Sequence, residues 1–459
     1  MSGRAHEAGA IHGDFGHRGP AWLRTPIDVN ALMQPLWPQT VHKGADGVLQ
    51  IGGLSVTELA QRFGTPAYLF DEEDFRARCR AFKAAFGDAE VYYAGKAFLC
   101  KAVVRILSEE GLSLDVCSGG ELATALAAGM DPARIGFHGN NKSMRELTEA
   151  VDRGVGRIIV DSFDEIDRLS SLKKPVKVMI RVTVGVEAHT HEFIATAHED
   201  QKFGFALAGG SAFEAARRIL AEGVLDLRGF HSHIGSQIFD ASGFEVSARR
   251  VLALQKRVLD ELGVELPELD LGGGFGIAYT SQDDPSEASD LADRMAKIVA
   301  DECAALQLNL PHLSVEPGRA IVGPSTFTLY EVGTVKPLDG LRTYVSVDGG
   351  MSDNIRTALY DASYSATLAS RRSQAEPILA RVVGKHCESG DVVVKDEFLP
   401  ADIKTGDLLA VPGTGAYCRS MASNYNHVPR PPVVAVRDGQ ARVIVRRETE
   451  EDLLALDMG

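Results

Sequence analysis

Short apolar runs alternate with amphipathic stretches along the chain from Tyr68 onward. Such runs are typical of buried parallel strands, and the stretches between them have the period of helices that cover a sheet. The runs are VYYAG, SLDVC, RIGFH, RIIVD, KVMIRV, RGFHSHI, ELDLGG and HLSVEPG. Eight strands with helical crossovers predict an α/β fold of the (β/α)8 barrel type. The alternative is a doubly wound sheet, although no GxGxxG motif follows the first strand.

The pattern changes after Gly323, where strand-like segments separated by glycine and Asp-Gly turns replace the alternation. This pattern predicts an antiparallel β domain over residues 324–459, interrupted by a helix near 354–370 and closed by a short helix in EEDLLAL. Residues 1–50 show little periodicity and are interpreted as an irregular arm. The predicted domains are therefore the arm (1–50), the barrel (51–323) and the β domain (324–459).

Composition narrows the class of protein. The net charge of -15 argues against nucleic acid or an anionic membrane as the main partner. No run reaches the length of a membrane span, and the N-terminus lacks the regions of a signal peptide, so a cytoplasmic location is expected. The six cysteines are scattered without a CxxC pair, which predicts neither a disulfide framework nor a metal site.

Unusual polar residues fall at the ends of six predicted barrel strands, where the active site of such a barrel lies. Lys96 closes the first strand, where desolvation would favour the neutral amine of a Schiff-base lysine. Gly272, Gly273 and Gly274 follow the seventh strand and would let backbone amides approach a phosphate, with Ser236 as a further donor. Alone, each has a simpler explanation: a solvated strand end for the lysine, a tight turn for the glycines and a helix cap for the serine.

His233 and Glu316 complete this set of strand-end residues. The histidine is either a core imidazole or a flat ring that packs on a planar cofactor. The glutamate either pairs with Arg319 across a turn or faces a pyridine nitrogen, where its charge would favour the protonated ring as an electron sink. A Schiff-base lysine, a phosphate turn and an acidic partner for the ring nitrogen together indicate pyridoxal phosphate.

At this point the sequence resembles a known family. YYAGKAF, DVCSGGEL, HGNNKS, HSHIGSQ, LDLGGGFGIAY, EPGRAIV, DGGMSDNIRTALYDA, CESGD and GTGAY are similar to the motif series of the fold-type III pyridoxal-phosphate decarboxylases. Within that family, the series is most similar to members that act on meso-2,6-diaminopimelate. The likeness runs from about residue 50 to 435 and includes the segment that holds His189 and His191. It implies an alanine racemase/ornithine decarboxylase-like architecture. Gly95, before the lysine, departs from the valine of many relatives.

The resemblance implies a role for each matched residue. Lys96 would form the Schiff base with pyridoxal 5'-phosphate and His233 would stack on its ring. Ser236 and Gly274 would hold the phosphate, Glu316 would address the ring nitrogen, and Pro317 and Gly318 would line the same loop. The distal carboxylate of the substrate would be bound by Arg319, Arg356 and Tyr360, of which the last two stand four apart on a predicted helix and so face one way. Without the motif, that pair is an ordinary solvated helix face.

The remaining implied residues lie in the β domain. Glu388 would take the distal ammonium, and Tyr417 would contact cofactor and substrate. Cys387 would return a proton to the substrate after carbon dioxide leaves, although from sequence alone it is a buried thiol. In the family this loop enters the neighbouring subunit, which implies a homodimer with shared active sites. The implied reaction is decarboxylation of meso-2,6-diaminopimelate to L-lysine, the last step of lysine biosynthesis by this route.

Three alternatives remain at this level. A decarboxylase of basic amino acids such as ornithine would share the fold, but its substrates lack the second carboxylate that an arginine pair recognises. An amino-acid racemase would place an arginine near the ring nitrogen and use a tyrosine as second base, unlike Glu316 and Cys387 here. A cofactor-free regulatory protein would have no need of an intact Lys96 and glycine turn.

Overall fold

The computed structural model describes residues 19–185 and 201–459. Its strands are β1 (His42–Lys43), β2 (Leu49–Ile51), β3 (Leu54–Ser55), β4 (Ala67–Asp71), β5 (Glu90–Ala94), β6 (Ser113–Val116), β7 (Ile135–Phe137), β8 (Arg157–Val160), β9 (Lys177–Thr183), β10 (Phe205–Ala206), β11 (Asp226–Ser232), β12 (Glu268–Asp270), β13 (His312–Val315), β14 (Thr326–Pro337), β15 (Thr343–Val347), β16 (Thr367–Leu368), β17 (Pro377–Val383), β18 (Val392–Pro400), β19 (Leu408–Val411), β20 (Val433–Arg437) and β21 (Gln440–Val445). Its α-helices are α1 (Val56–Phe63), α2 (Glu72–Phe86), α3 (Lys101–Glu110), α4 (Gly119–Ala128), α5 (Met144–Arg153), α6 (Phe163–Ser171), α7 (Ser211–Glu222), α8 (Ser242–Leu262), α9 (Ala288–Leu306), α10 (Arg319–Val322), α11 (Arg356–Tyr360) and α12 (Glu450–Leu454).

Eight parallel strands close into a barrel in the order β5-β6-β7-β8-β9-β11-β12-β13, and β13 pairs back to β5. Each overlaps one of the apolar runs singled out in the sequence, so the predicted (β/α)8 barrel is confirmed. The short strand β10 extends the ring by pairing with β9. Because the strands are parallel, their carboxyl ends lie at one rim, which brings the strand-end residues together.

Local capping fixes where the barrel helices begin and end. Ser118, Ser143 and Ser162 each accept a hydrogen bond from the backbone N–H three residues on, at the starts of α4, α5 and α6. Glycines in the left-handed conformation follow α3, α4, α5, α7 and α8. At the start of α6, Ser162 and Glu165 form the S-x-x-E spacing of a helix start.

The second sheet has the order β18-β17-β15-β14-β4-β20-β21, and β19 pairs with β14 and β16. Most pairs are antiparallel, as predicted, whereas β15 with β17 and β4 with β20 are parallel. Strand β4, which lies between β14 and β20 in this sheet, precedes the barrel in the chain. Its core includes residues of the N-terminal segment, because Leu36, Trp37 and Val41 are buried in one cluster with Leu69 and Phe327.

The chain divides into two compact units. One contains residues 19–75, 277–284 and 322–459, and the other contains residues 76–185, 201–276 and 285–321. Residues 51–75, predicted as part of the barrel, belong to the same unit as the β domain, because β4 pairs with β14 and β20. The helix predicted near 354–370 is shorter, since α11 ends at Tyr360 and β16 follows. Among the described residues, no helix is both long and apolar enough to span a membrane.

Candidate active site

A cavity of about 500 Å³ lies within the barrel unit, at the carboxyl ends of its strands. Residues that follow or end β5, β6, β7, β9, β11 and β13 contribute to it. Its lining is Ala94, Gly95, Lys96, Asp115, Cys117, His138, Gly139, Asn140, Arg181, Gln201, Phe203, His231, His233, Ile234, Gly235 and Glu316. The cavity is therefore polar on several sides and contains three of the residues predicted from sequence: Lys96, His233 and Glu316.

Lys96 lies in a single 3-10 turn, Gly95–Ala97, directly after β5. A Cβ at Gly95 would lie 2.7 Å from the Asp115 carbonyl oxygen, so the turn lies too close to β6 for a larger residue. The Tyr93 hydroxyl donates to the Phe98 carbonyl at 2.8 Å across the same turn. The lysine side chain itself is exposed in the cavity. The sequence-based expectation of a desolvated amine is therefore not met, because the lysine follows the buried strand instead of lying in it.

Glu316 lies between two histidines at the inner end of the cavity. Its Oε1 is 3.1 Å from His138 Nε2 and 3.0 Å from His231 Nε2, and His138 Nε2 is also 3.2 Å from Asp115 Oδ1. All four side chains are buried. His138 and His231 belong to the motifs HGNNKS and HSHIGSQ, from which no role was predicted for either, and Asp115 is a carboxylate inside a buried strand.

Burial and mutual charge set the ionisation of this cluster. Burial alone would lower the pKa of His138, but Glu316 and Asp115 outweigh it and raise this pKa to about 9. Burial lowers the pKa of His231, although Glu316 opposes the effect. Burial alone would raise the pKa of Glu316, yet His231 and His138 hold it well below its usual range. Glu316 is therefore a carboxylate beside a protonated His138 and a neutral His231.

His138, His231 and Glu316 also have the ligand types of a transition-metal site, with donor atoms within 4.8 Å of one another. His231 Nε2 and His138 Nε2 lie 3.0 and 3.1 Å from Glu316 Oε1, which are ion-pair separations. In the same cluster Glu316 lines the cavity, as an acidic partner for a bound ring would.

His233 is held against the glycine turn. Its Nδ1 accepts a hydrogen bond from the Gly273 N–H at 3.3 Å, which leaves the proton of the neutral ring on Nε2. Desolvation lowers the pKa of His233 well below its usual value, and the charges of Lys96 and Arg181 lower it further. A neutral, oriented imidazole in the cavity wall fits the predicted stacking role.

The glycine turn itself leaves no room for side chains. Gly272 has φ +70° and Gly274 φ +109°, and a Cβ on them would lie 2.4 Å from the Ser232 oxygen and 2.5 Å from the Gly235 oxygen. Next to this turn, Arg319 Nη2 donates to Ser236 Oγ at 2.9 Å. The backbone of the glycine turn, the Ser236 hydroxyl and the Arg319 guanidinium thus lie together at one edge of the site. This set fits a phosphate group, and the cavity beside it fits a pyridine ring.

Pro317 and Gly318 hold the loop of Glu316 against the strand that leads to Lys96. The Pro317 carbonyl accepts from the Ala94 N–H at 3.3 Å, and a Cβ on Gly318 would lie 2.9 Å from the Ala94 side chain. This packing fixes the spacing between the lysine turn and the glutamate. Pro317 and Gly318, both predicted from sequence, therefore position the lysine turn relative to Glu316.

In the β-domain unit, Arg356 is 5% exposed and its Nη1 donates to the Tyr364 hydroxyl at 2.5 Å. Its guanidinium also lies 4.9 Å from the centre of the Tyr279 ring. Tyr360, at the other end of α11, is 61% exposed. Arg356 and Tyr360 stand four apart within α11, which ends at Tyr360, but the arginine is buried and the tyrosine is exposed. Sequence reasoning missed Tyr364 and Tyr279, which hold the arginine.

Cys387 and Glu388 lie in the loop between β17 and β18. The cysteine is exposed, so the alternative of a buried thiol is not met. The Glu388 carboxylate accepts from the Ser389 hydroxyl at 3.2 Å and from the Gly390 N–H at 3.4 Å within the loop. Tyr417, after β19, is half-buried with φ +63°, a conformation that non-glycine residues rarely adopt. Strained backbone of this kind is common at functional sites.

Two further predicted features lie elsewhere. Lys142, in the HGNNKS motif, is buried away from solvent and donates to Glu165 at 2.6 Å and to two backbone carbonyls, which makes it a structural residue. His189 and His191 lie outside the described residues.

Comparison with known proteins agrees with this site. Residues 72–323 match the family model described as pyridoxal-dependent decarboxylase, pyridoxal binding domain. A diaminopimelate decarboxylase of Mycobacterium tuberculosis is 57% identical over 440 residues, which cover 93% of this chain and 98% of the relative. One of Bacillus subtilis is 46% identical over 427 residues, covering 91% and 97%. The crystal structure of the M. jannaschii diaminopimelate decarboxylase with L-lysine has a TM-score of 0.86 at 32% identity, covering 92% of this chain and 98% of that one.

Proposed function

The chain belongs to the pyridoxal-dependent decarboxylase family, among its diaminopimelate decarboxylases, and on that premise we propose that it converts meso-2,6-diaminopimelate to L-lysine and carbon dioxide. The cofactor is pyridoxal 5'-phosphate. The observation that carries the proposal is the meeting of Lys96, His233 and Glu316 in one cavity beside the glycine turn. Lysine binding by the M. jannaschii relative supports the identity of the product.

Several residues of the barrel unit would hold the cofactor. Lys96 would bind it covalently, Gly274, Ser236 and Arg319 would hold its phosphate, and His233 would pack on its ring. Glu316, kept ionised by its two histidines, would hold a proton on the ring nitrogen. When bound, pyridoxal phosphate supplies an electron sink for the pair left by the departing carboxylate. The charge on Glu316 strengthens this effect because it favours the protonated ring.

Substrate recognition is proposed to rest on charge at the distal end of diaminopimelate. Arg319, Arg356 and Tyr360 would bind the distal carboxylate, and Glu388 would bind the distal ammonium. Tyr417 would contact both substrate and cofactor. Arg356 is pre-oriented by Tyr364 and Tyr279, which reduces the entropy lost when its guanidinium binds a carboxylate. Ornithine lacks that carboxylate and would leave the charge of the buried Arg356 without an anionic partner.

Cys387 is proposed to donate the proton that replaces carbon dioxide on the substrate. Its exposure is consistent with a thiol that completes a site on another subunit, and we propose a homodimer in which the Cys387 loop of each protomer serves its partner. A cytoplasmic location is proposed from the sequence.

The test is a spectrum together with a product assay. Protein purified with pyridoxal phosphate should show the visible absorbance of a lysine-bound cofactor and should release carbon dioxide from meso-diaminopimelate far faster than from ornithine. Lys96→Ala should lose the absorbance band. Arg356→Ala should lose activity on diaminopimelate selectively, because the buried guanidinium recognises the second carboxylate. A coloured protein without carbon dioxide release from diaminopimelate would contradict the proposal.

A further inference from the structure

The loop that carries Cys387 is anchored at its base by a buried carboxylate. Asp391 accepts from the His386 N–H at 2.7 Å through Oδ2 and from the Met351 N–H at 2.6 Å through Oδ1. A Cβ on Gly384 would lie 2.2 Å from Asp391 Oδ2, and one on Gly350 would lie 2.5 Å from Oδ1. The two ends of the loop are therefore fixed to the segment at Gly350 and Met351, which leaves the tip to be positioned by other contacts.

Asn426 supplies the contacts at the tip. Its Oδ1 accepts from the Cys387 N–H at 3.4 Å and lies 3.2 Å from His386 Nδ1. His386 Nε2 lies 2.8 Å from Ser352 Oγ. An amide oxygen only accepts, so His386 Nδ1 is the donor toward Asn426. One oxygen atom thus holds the backbone of Cys387 and the ring before it.

The backbone at Asn426 adopts an unfavourable conformation, whose free-energy cost other contacts must offset. Asn426 has φ +53° and His427 has φ +56°, two consecutive non-glycine residues in the left-handed region. Such residues persist where surrounding contacts over-determine them, often at functional sites. The Asn426 side chain makes both contacts with the Cys387 loop, whereas the described structure shows no side-chain hydrogen bond from His427 to that loop.

We propose that Asn426, together with His386, is a positioning residue that fixes the Cys387 thiol for proton delivery to the substrate. This inference rests on the proposed function, because it assumes that Cys387 is the proton donor. It adds two residues to that function that the motif series did not include. Proton transfer depends steeply on donor placement, so a loop tip released from Asn426 would deliver the proton slowly even with the thiol intact.

The test compares three variants of the holoenzyme. Asn426→Gly removes the acceptor oxygen but suits the left-handed backbone, so its melting temperature should match or exceed that of the wild type. We expect its kcat for carbon dioxide release to fall on the order of 10- to 100-fold, with KM within about twofold. Asn426→Asp keeps an acceptor oxygen in place and should recover much of kcat. His427→Gly relieves the same kind of strain one residue later and should keep wild-type kinetics.

A fourth and a fifth variant separate the two proposals. If Cys387→Ala keeps the wild-type kcat, the proton-donor role in the proposed function fails. If Cys387→Ala lowers kcat and Asn426→Gly does not, the positioning role is overturned. In the double variant, Asn426→Gly should add nothing to the loss caused by Cys387→Ala, because both act on one step. A loss of the same factor in both backgrounds would show that Asn426 acts elsewhere and would also overturn the inference.

Discussion

His138 and Lys142 lie four residues apart in one motif, HGNNKS, but have different roles. His138 lies at the cavity, between Asp115 and Glu316, whereas Lys142 is buried and binds Glu165. Both are charged groups removed from water, where an unpaired charge is costly and a paired one is tolerated. The sequence indicated polar residues at this strand end, but the partner of each depends on side chains far along the chain. A buried cation paired with Glu165 and one paired with Glu316 look alike in sequence.

The raised pKa of His138 predicts a pH dependence of stability. Its folded-state value of about 9 exceeds the ordinary histidine value of about 6.5. The folded state therefore holds this proton more tightly, and the resulting stabilisation is complete below about pH 6.5 and is lost as the pH rises through about 9. The free energy of unfolding of the cofactor-free protein should fall over that range by at most about 1.4 kcal/mol per pH unit from this group.

Chemical denaturation at several pH values measures this slope. His138→Gln should be less stable at pH 6.5 and should show a flatter dependence between pH 6.5 and 9, since other titrating groups remain in both proteins. Equal slopes for the two proteins would mean that His138 is not protonated in the fold.

At the scale of elements, the barrel strands were predictable because a parallel strand that is buried on both faces has a continuous apolar run in its sequence. Convergence of the strand-end residues on one rim followed from parallel strands alone. Helix α6 begins at a serine cap that is visible in the sequence. The exposure of Tyr360 and the burial of Arg356 were not predictable, since both depend on where α11 stops and on Tyr364 and Tyr279. Strand β4 was assigned to the barrel unit because its partners lie far along the chain.

Substitution of Gly272, in the glycine turn after β12, should reduce stability more than substitution of Gly263, which serves as the control. Gly272 and Gly263 have nearly equal φ angles of +70° and +71°, but only Gly272 lacks room for a Cβ, which would lie 2.4 Å from the Ser232 oxygen. Gly263→Ala should cost about 1 kcal/mol of unfolding free energy from backbone strain alone. Gly272→Ala should cost about 2 kcal/mol more, because backbone must move to relieve the contact.

Denaturant titration of both variants measures the two costs, and retention of the cofactor absorbance after gel filtration reports on the phosphate site. The Gly272 variant should lose cofactor while the Gly263 variant keeps it. Equal losses of stability in the two would mean that the turn after β12 has more space than the structure gives it.

At the scale of the whole molecule, the proposed residues divide between the two units. Lys96, His233 and Glu316 belong to the barrel unit, whereas Arg356, Cys387 and Tyr417 belong to the β-domain unit. A site that uses both sets within a homodimer can draw them from different protomers. The acidic net charge of -15 is compatible with such an enzyme.

Shared sites predict complementation between inactive variants. Lys96→Ala and Cys387→Ala dimers should each have little activity. Mixing them in equal amounts under conditions that exchange subunits should form heterodimers with one intact site, and activity should reach about a quarter of the wild-type value if exchange is random. Carbon dioxide release before and after exchange measures this. A mixture no more active than its two components would mean that each site is built from one protomer.

The position of β4 in the second sheet has a consequence for the order of folding. Phe70 pairs with Thr326 on one side and with Ala435 on the other, so the whole barrel is inserted in the chain between this strand and its neighbours. During synthesis β4 is made before both of its partners. One of its edges stays unpaired until β14 is made, and the other until β20 is made. The barrel, whose strands pair mostly in sequence order, can fold in the meantime and shorten the loop that must then be closed. An early, exposed β-strand of this kind is where premature association between nascent chains would begin.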